Sequence, residues 1–331
     1  MNQTVVDREP AAEFTRPDSH SIEDVLFTPD GKHLVGLGQD RQTKNGVIDF
    51  WDVQSRKLAR QLTQPGPVVA ATFSSNGKVL LTSGWDKKLY IRTAPDWAMQ
   101  HAFDHDPPGQ VAQKLALLPS GKQFASGNSS YDGPRLWTLE TRTARALKGV
   151  PEQVSGLAVS SDGKRLAVVY SAPVAEIWDL ERFQVVKHLA LEKGARRQGV
   201  FVSCAFSPDG RWFAAGWSGT AAGPKLAVTI WDANTFAMHK ECDGLTDFPY
   251  ALAFSADSKL LVSTMGGERN TPAKVCLWEA ESGKLAHAFS PYKHGCMQQA
   301  LSPDGRWLVT CGVDCTLRLW DFDKLRKELG R

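Results

Sequence analysis

The feature that most constrains this chain is a short motif that recurs seven times at nearly even spacing. Each copy is an apolar residue, two small or polar residues and a turn. The copies are Phe27-Thr28-Pro29-Asp30-Gly31, Phe73-Ser74-Ser75-Asn76-Gly77, Leu117-Leu118-Pro119-Ser120-Gly121, Val159-Ser160-Ser161-Asp162-Gly163, Phe206-Ser207-Pro208-Asp209-Gly210, Phe254-Ser255-Ala256-Asp257-Ser258 and Leu301-Ser302-Pro303-Asp304-Gly305. Successive copies lie 42 to 48 residues apart. A period of that length points to a solenoid, a propeller or an array. A second motif follows in phase: Phe50-Trp51-Asp52, Leu136-Trp137-Thr138, Ile177-Trp178-Asp179, Ile230-Trp231-Asp232, Leu277-Trp278-Glu279 and Leu319-Trp320-Asp321. The second repeat carries a degenerate version, Ile91-Arg92-Thr93. Six of the 11 tryptophans therefore fall in one slot.

Turn chemistry explains the first motif. Proline presets the first corner of a type I turn, aspartate suits the second, and glycine takes the left-handed position. The expected connection is a three-residue hairpin loop with a bulge at the glycine. Ser258 breaks the rule and has to adopt the left-handed backbone at a cost of about 1 kcal/mol, or use another turn. The aspartate after each tryptophan sits where a third strand turns into a fourth, and its carboxylate suits local backbone N–H groups. Each repeat thus reads as four short strands, a to d. One such sheet cannot bury both faces, whereas seven stacked radially can. The expected fold is all-β: a seven-bladed β-propeller of four-stranded antiparallel blades.

Over about residues 3–331 the chain resembles the WD40-repeat β-propeller family. The resemblance rests on the Trp-Asp pairs at 51–52, 178–179, 231–232 and 320–321 and on the Pro-Asp-Gly-type turns. Trp137 and Trp278 fill the same slot without the aspartate. No Gly-His dipeptide precedes any first strand, so the buried His–Asp–Ser/Thr–Trp network of the family is not expected. Asp40, Asp86, Asp132 and Asp314, near the matching aspartate position, are then expected to cap their b–c turns locally.

The final repeat runs out of chain before its fourth strand. Ala11-Ala12-Glu13-Phe14-Thr15 resembles the fourth strand Ala59-Arg60-Gln61-Leu62-Thr63 and is a candidate to replace it. The expectation is one domain over 1–331, with residues 1–19 closing blade seven and 324–331 as a short tail. Closure of that kind removes an open sheet edge. Trp97, just after the degenerate motif, is expected to cover for the tryptophan missing at Arg92.

Composition bears mainly on function. A formal charge of +3 disfavours a strongly basic nucleic-acid binder. No run of 18 apolar residues is present, and the first nine residues hold no apolar signal core, so no membrane partner is expected. Six cysteines, all in the second half, are too few and too uneven for a secreted disulfide framework, which favours a cytoplasmic setting. Cys296, Cys311 and Cys315 with His294 offer the ligand types of a zinc site, but idle thiols suit their spacing better. No metal or cofactor is expected. Phosphate-cradling, nucleophile-elbow and zinc-protease motifs are absent, so no enzyme is expected.

Binding is then expected on the face that carries the d–a and b–c loops, several of which are long. Candidate contacts there are Trp85, Trp217, Tyr170, Tyr131, Arg41, Arg196, Arg197, Arg269, Tyr292 and Lys293, because aromatics with arginine make up most protein-binding hot spots. The favoured reading is a non-catalytic protein–protein interaction platform, a scaffold or recognition subunit of a larger complex. The alternative is binding of nucleic acid or an anionic ligand by a basic loop rim.

Overall fold

The computed structural model describes residues 8–16, 20–105, 108–128, 131–190, 199–218, 227–242, 248–266, 272–293 and 295–330. Among these it forms seven four-stranded antiparallel sheets. Blade 1 is typical, with strands a to d at His20–Phe27, His33–Asp40, Gly46–Asp52 and Leu58–Gln64. The a strands of successive blades touch one another in a closed circuit, blade 1 to blade 7 and back to blade 1. They therefore line the axis, and the d strands form the rim.

The ring closes as the repeats imply. Blade 7 takes strands a to c from Cys296–Leu301, Trp307–Gly312 and Thr316–Asp321, and its fourth strand is Ala12–Thr15. Phe14 stands opposite Leu317, and the Ala11 N–H donates to the Leu319 carbonyl at 2.7 Å. The C-terminal segment is more than a tail. It forms helix α1 (Phe322–Glu328), capped by Asp321, whose carboxylate accepts the Lys324 N–H at 2.8 Å. Phe322 and Leu325 are buried in a cluster with Leu277, Phe289 and Trp320 of blades 6 and 7.

The a–b turn is one residue longer than the expected three. In blade 1 the Thr28 N–H donates to the His33 carbonyl, so four residues lie between the paired positions. The reason is the hydroxyl of the motif. Thr28 Oγ1 accepts the His33 N–H at 3.0 Å and donates to Asp30 at 2.7 Å. Ser74, Ser160, Ser207, Ser255 and Ser302 repeat this pattern. Ser258 does adopt the left-handed backbone, at φ 60°, and its hydroxyl accepts the Asp209 N–H of the neighbouring blade at 3.1 Å.

The repeated tryptophans wedge between blades. Trp51 packs with Phe14 and Leu317 of blade 7, and Trp231 with Ala167 and Ile177 of blade 4. Each buried indole removes roughly 200 Å² from water, a gross gain of about 5 kcal/mol. In blade 2 the slot holds Arg92, which turns its guanidinium to the Thr63 carbonyl at 2.8 Å. Trp97 fills the gap, stacked on Phe50 at 5.8 Å and edge-on to Phe73 at 5.3 Å. The aspartates after the tryptophans also act as expected. Asp52, Asp179 and Asp232 each accept backbone N–H groups of the following turn.

Candidate functional site

Antiparallel pairing puts all b–c and d–a connections at one end of every blade, and these make the upper face. The structure separates the candidate contacts into three groups. Trp85 and Tyr131 are exposed, at 55% and 69% of their surface, and Arg41 and Lys293 are exposed as well. Trp217, Tyr170 and Tyr292 are buried, which corrects their assignment as surface contacts. Arg196, Arg197 and Arg269 lie outside the described residues.

The buried three have a common cause. They lie just under the upper face, where strand ends carry polar groups that water does not reach. The Trp217 indole donates to Thr229 Oγ1 at 3.3 Å. The Tyr170 hydroxyl donates to Glu176 Oε2 at 2.7 Å, and the Trp178 indole donates to the same oxygen at 3.1 Å. Burial, and then the Glu176 carboxylate, push the Tyr170 phenol far above its ordinary value, so it stays a donor. Tyr292 donates to the Thr310 carbonyl at 2.8 Å, and the Arg318 guanidinium covers its ring at 4.4 Å.

These contacts belong to a repeated position that sequence reading missed. Two residues before each tryptophan slot stand Asp49, Tyr90, Arg135, Glu176, Thr229, Cys276 and Arg318. All but Arg318 are buried. A buried polar group is costly unless it is paired. Asp49 pairs with Arg16 at 2.7 Å, Tyr90 donates to Asp86, and Arg135 donates to the Asp132 carbonyl at 2.8 Å. Chemically unlike residues at a shared position hid the pattern.

Contrary to the expectation from the missing Gly-His, part of a buried His–Ser/Thr–Trp network does form in some blades. In blade 3, His105 Nε2 lies 2.9 Å from Ser126 Oγ, which also accepts the Trp137 indole N–H at 2.9 Å. In blade 7, Trp320 donates to Thr310 Oγ1 at 3.0 Å, and that hydroxyl donates to Tyr292 at 3.1 Å. A tyrosine there stands where the family pattern has a histidine. Of the four b–c aspartates, Asp40, Asp86 and Asp314 cap their turns: Asp40 accepts the Gln42 N–H at 2.8 Å, Asp86 the Lys88 N–H at 3.4 Å and Asp314 the Thr316 N–H at 3.1 Å.

The exposed aromatic Trp85 is held by its backbone. It stands in a tight turn closed by the Lys87 N–H and the Gly84 carbonyl at 2.9 Å, and its own N–H donates to the Pro67 carbonyl at 3.0 Å. Val313 occupies the same turn position in blade 7 and is 52% exposed. A groove of about 760 Å³ between blades 6 and 7 includes Lys274, Pro291 and Arg318, but Arg318 is already paired with Glu13 at 2.7 Å. The cysteines form no disulfide, and burial pushes Cys204 and Cys276 up to about 12. Among the described residues no group of three or more His, Cys, Asp and Glu side chains is arranged to hold a metal ion. No helix among the described residues is long and apolar enough to cross a membrane.

A closed ring of seven antiparallel blades, with tryptophans wedged between them and loops gathered on rigid ends, defines a β-propeller built as a presentation scaffold. The chain carries recognisable WD40 repeats: the model for "WD domain, G-beta repeat" matches residues 56–92, 193–221 and 283–321. It is similar to the anaphase-promoting complex subunit cdc20 of Dictyostelium discoideum, 28% identical over 309 residues that cover 92% of this chain and 50% of that protein. It is also similar to a WD repeat-containing protein WDS homolog of Arabidopsis thaliana, 23% identical over 315 residues that cover 92% of this chain and 56% of that one. The chain spans about half the length of these curated relatives.

Proposed function

We propose that this chain is a non-catalytic interaction platform, a recognition or scaffolding subunit that contacts a protein partner through its upper face. One observation carries the reading: Trp85 and Tyr131, large aromatics, stand exposed on the upper face, and the Trp85 turn is fixed by backbone hydrogen bonds. Such residues, held rigid at low entropic cost, are the usual anchors of protein interfaces. Similarity to a subunit of a multiprotein complex supports the same reading. Cysteines without disulfides suit the reducing, cytoplasmic setting proposed with it.

The test is affinity purification with mass spectrometry on the wild type and on a Trp85→Ala, Tyr131→Ala double variant. Specific partners are expected to drop at least tenfold in the variant while its thermal unfolding is unchanged. An identical partner profile overturns the upper-face assignment. The alternative of a basic loop rim rests on Arg196, Arg197 and Arg269. It would show itself as binding that weakens steeply with salt.

A further inference from the structure

The lower face carries a second repeated feature. The residue after the glycine position of every a–b turn is a cation: Lys32, Lys78, Lys122, Lys164, Arg211, Lys259 and Arg306. All seven are exposed. Their turns form one closed circlet around the axis. Gly31 faces Pro303, Gly77 faces Pro29, Gly163 faces Pro119, Gly210 faces Ser161 and Gly305 faces Ala256. The two remaining junctions are hydrogen bonds, Ser75 Oγ to the Pro119 carbonyl at 2.9 Å and the Asp209 N–H to Ser258 Oγ at 3.1 Å.

The charge on this circlet is uneven. Five turns hold an aspartate whose carboxylate bends inward to the turn hydroxyl and to the backbone N–H of the cation itself, as Asp30 does with Lys32 at 3.1 Å and Asp162 with Lys164 at 3.0 Å. In blades 2 and 3 neutral residues do this work: Asn76 accepts the Lys78 N–H at 3.0 Å and Ser120 the Lys122 N–H at 3.3 Å. Lys78 and Lys122 have no carboxylate partner among the described residues. Positive potential therefore concentrates in that sector.

A cleft of about 520 Å³ opens beside it, between blades 1 and 2. Its walls include Pro29, Phe50, Pro95 and Trp97, and the Asn76-Gly77 turn forms its border with Lys78. Trp97, which fills in for the tryptophan missing at Arg92, forms part of its wall. Arg60 donates to the Pro95 and Asp96 carbonyls and fixes the turn that carries Trp97. The cleft joins this apolar wall to a polar lining that includes Asp30, His33 and Arg60, and with Lys78 and Lys122 beside it suits an occupant that offers both an apolar side chain and carboxylates.

We infer that the lower face of blades 1 to 3 is a second binding site, which takes an acidic peptide segment of a partner protein with one aromatic or aliphatic side chain in the cleft. The carboxylates meet Lys78 and Lys122, and the apolar residue packs on Trp97 and Phe50. A nucleic acid suits the site less well, because five of the seven cations have a carboxylate in their own turn.

The test pans a phage-displayed library of random 12-residue peptides on the immobilised full chain, then measures enriched peptides by fluorescence anisotropy. Enriched peptides are expected to be net acidic with an aromatic or leucine residue. Affinity is expected to fall at least tenfold in Lys78→Glu, Lys122→Glu, and again in Ala59→Trp, which fills the cleft from an exposed wall position. It is expected to fall less than threefold in Lys164→Glu, Lys259→Glu. Trp85→Ala, Tyr131→Ala is expected to leave it unchanged, which separates this site from the upper face. Thermal melts of each variant confirm folding. The inference is overturned by neutral or basic consensus peptides, by indifference to the Lys78 and Lys122 reversals, or by no enrichment above an unrelated propeller. It is also overturned if a 20-nucleotide poly(dT) binds more tightly than the enriched peptides and loses affinity in the same variants.

Discussion

Trp85 and Trp217 look alike in the sequence, each at the end of a b strand, yet they do opposite work. Trp217 is 7% exposed inside the cluster joining blades 4 and 5, and Trp85 is 55% exposed on its turn. Trp217→Ala is expected to cost about 3–5 kcal/mol by opening a cavity, whereas Trp85→Ala stays within about 0.5 kcal/mol; urea denaturation reads both. Asp24 offers a second contrast, in pH. Burial pushes its carboxyl up to about 6 against the Val25 N–H bond and the Lys114 charge, which pull it down. A carboxyl raised on folding is most favourable below its unfolded value near 3.8, and that contribution is lost as pH rises through 6. Asp24→Asn should therefore be more stable than wild type at pH 7, with the difference shrinking toward pH 4. A difference that does not change with pH counts against the assignment.

At the scale of elements, the strands are joined by devices of unequal visibility. The a–b turns were legible because Pro, Asp and Gly each have a local reason to be there. The hydroxyl that lengthens them was present in the motif, but its bond spans five residues and shows only once the hairpin pairs. The bulge near the start of every a strand, between Ile22 and Asp24 in blade 1 and between Cys296 and Gln298 in blade 7, left no signature in residue type. The ion pair that ties the closing strand to blade 1 was equally hidden. Arg16, just past Thr15, meets Asp49 at 2.7 Å and also donates to the Ser21 and Gly36 carbonyls. Arg16→Met should cost about 3–5 kcal/mol by stranding the buried Asp49 carboxylate, and Arg16→Met, Asp49→Leu should recover most of it. A double variant as unstable as the single one would show that the arginine acts through packing alone.

For the whole molecule, closure of the ring couples the two chain ends. Deleting residues 1–19 removes the fourth strand of blade 7, exposes the edge of Thr316–Asp321 and unpairs Asp49 at once. Deleting 326–331 spares Phe322 and Leu325 and removes only the partly buried Leu329 from their cluster. The first truncation should lower the melting temperature by far more than the second, as followed by circular dichroism. Equal effects would mean that the blade 7 pairing contributes little. The same closure makes the molecule two-sided. Upper loops vary in length and sequence from blade to blade, whereas lower turns repeat one design, so the lower charge pattern varies only where Asn76 and Ser120 replace aspartate.

By itself the sequence determined the number of blades, the order of strands, the wedge tryptophans and the strand that closes the ring. Those follow from local turn chemistry and from a repeat whose period counts itself. It did not determine which side chains near the strand ends face water. Trp217, Tyr170 and Tyr292 turned inward, and Trp97 took over for Arg92, because each is held by side chains and carbonyls that only strand pairing and blade packing bring beside it. The cation circlet was written in the sequence seven times, but only ring closure brings seven turns into one continuous surface. Local chemistry builds the blades, while burial and charge at their ends are set by what the next blade brings against them.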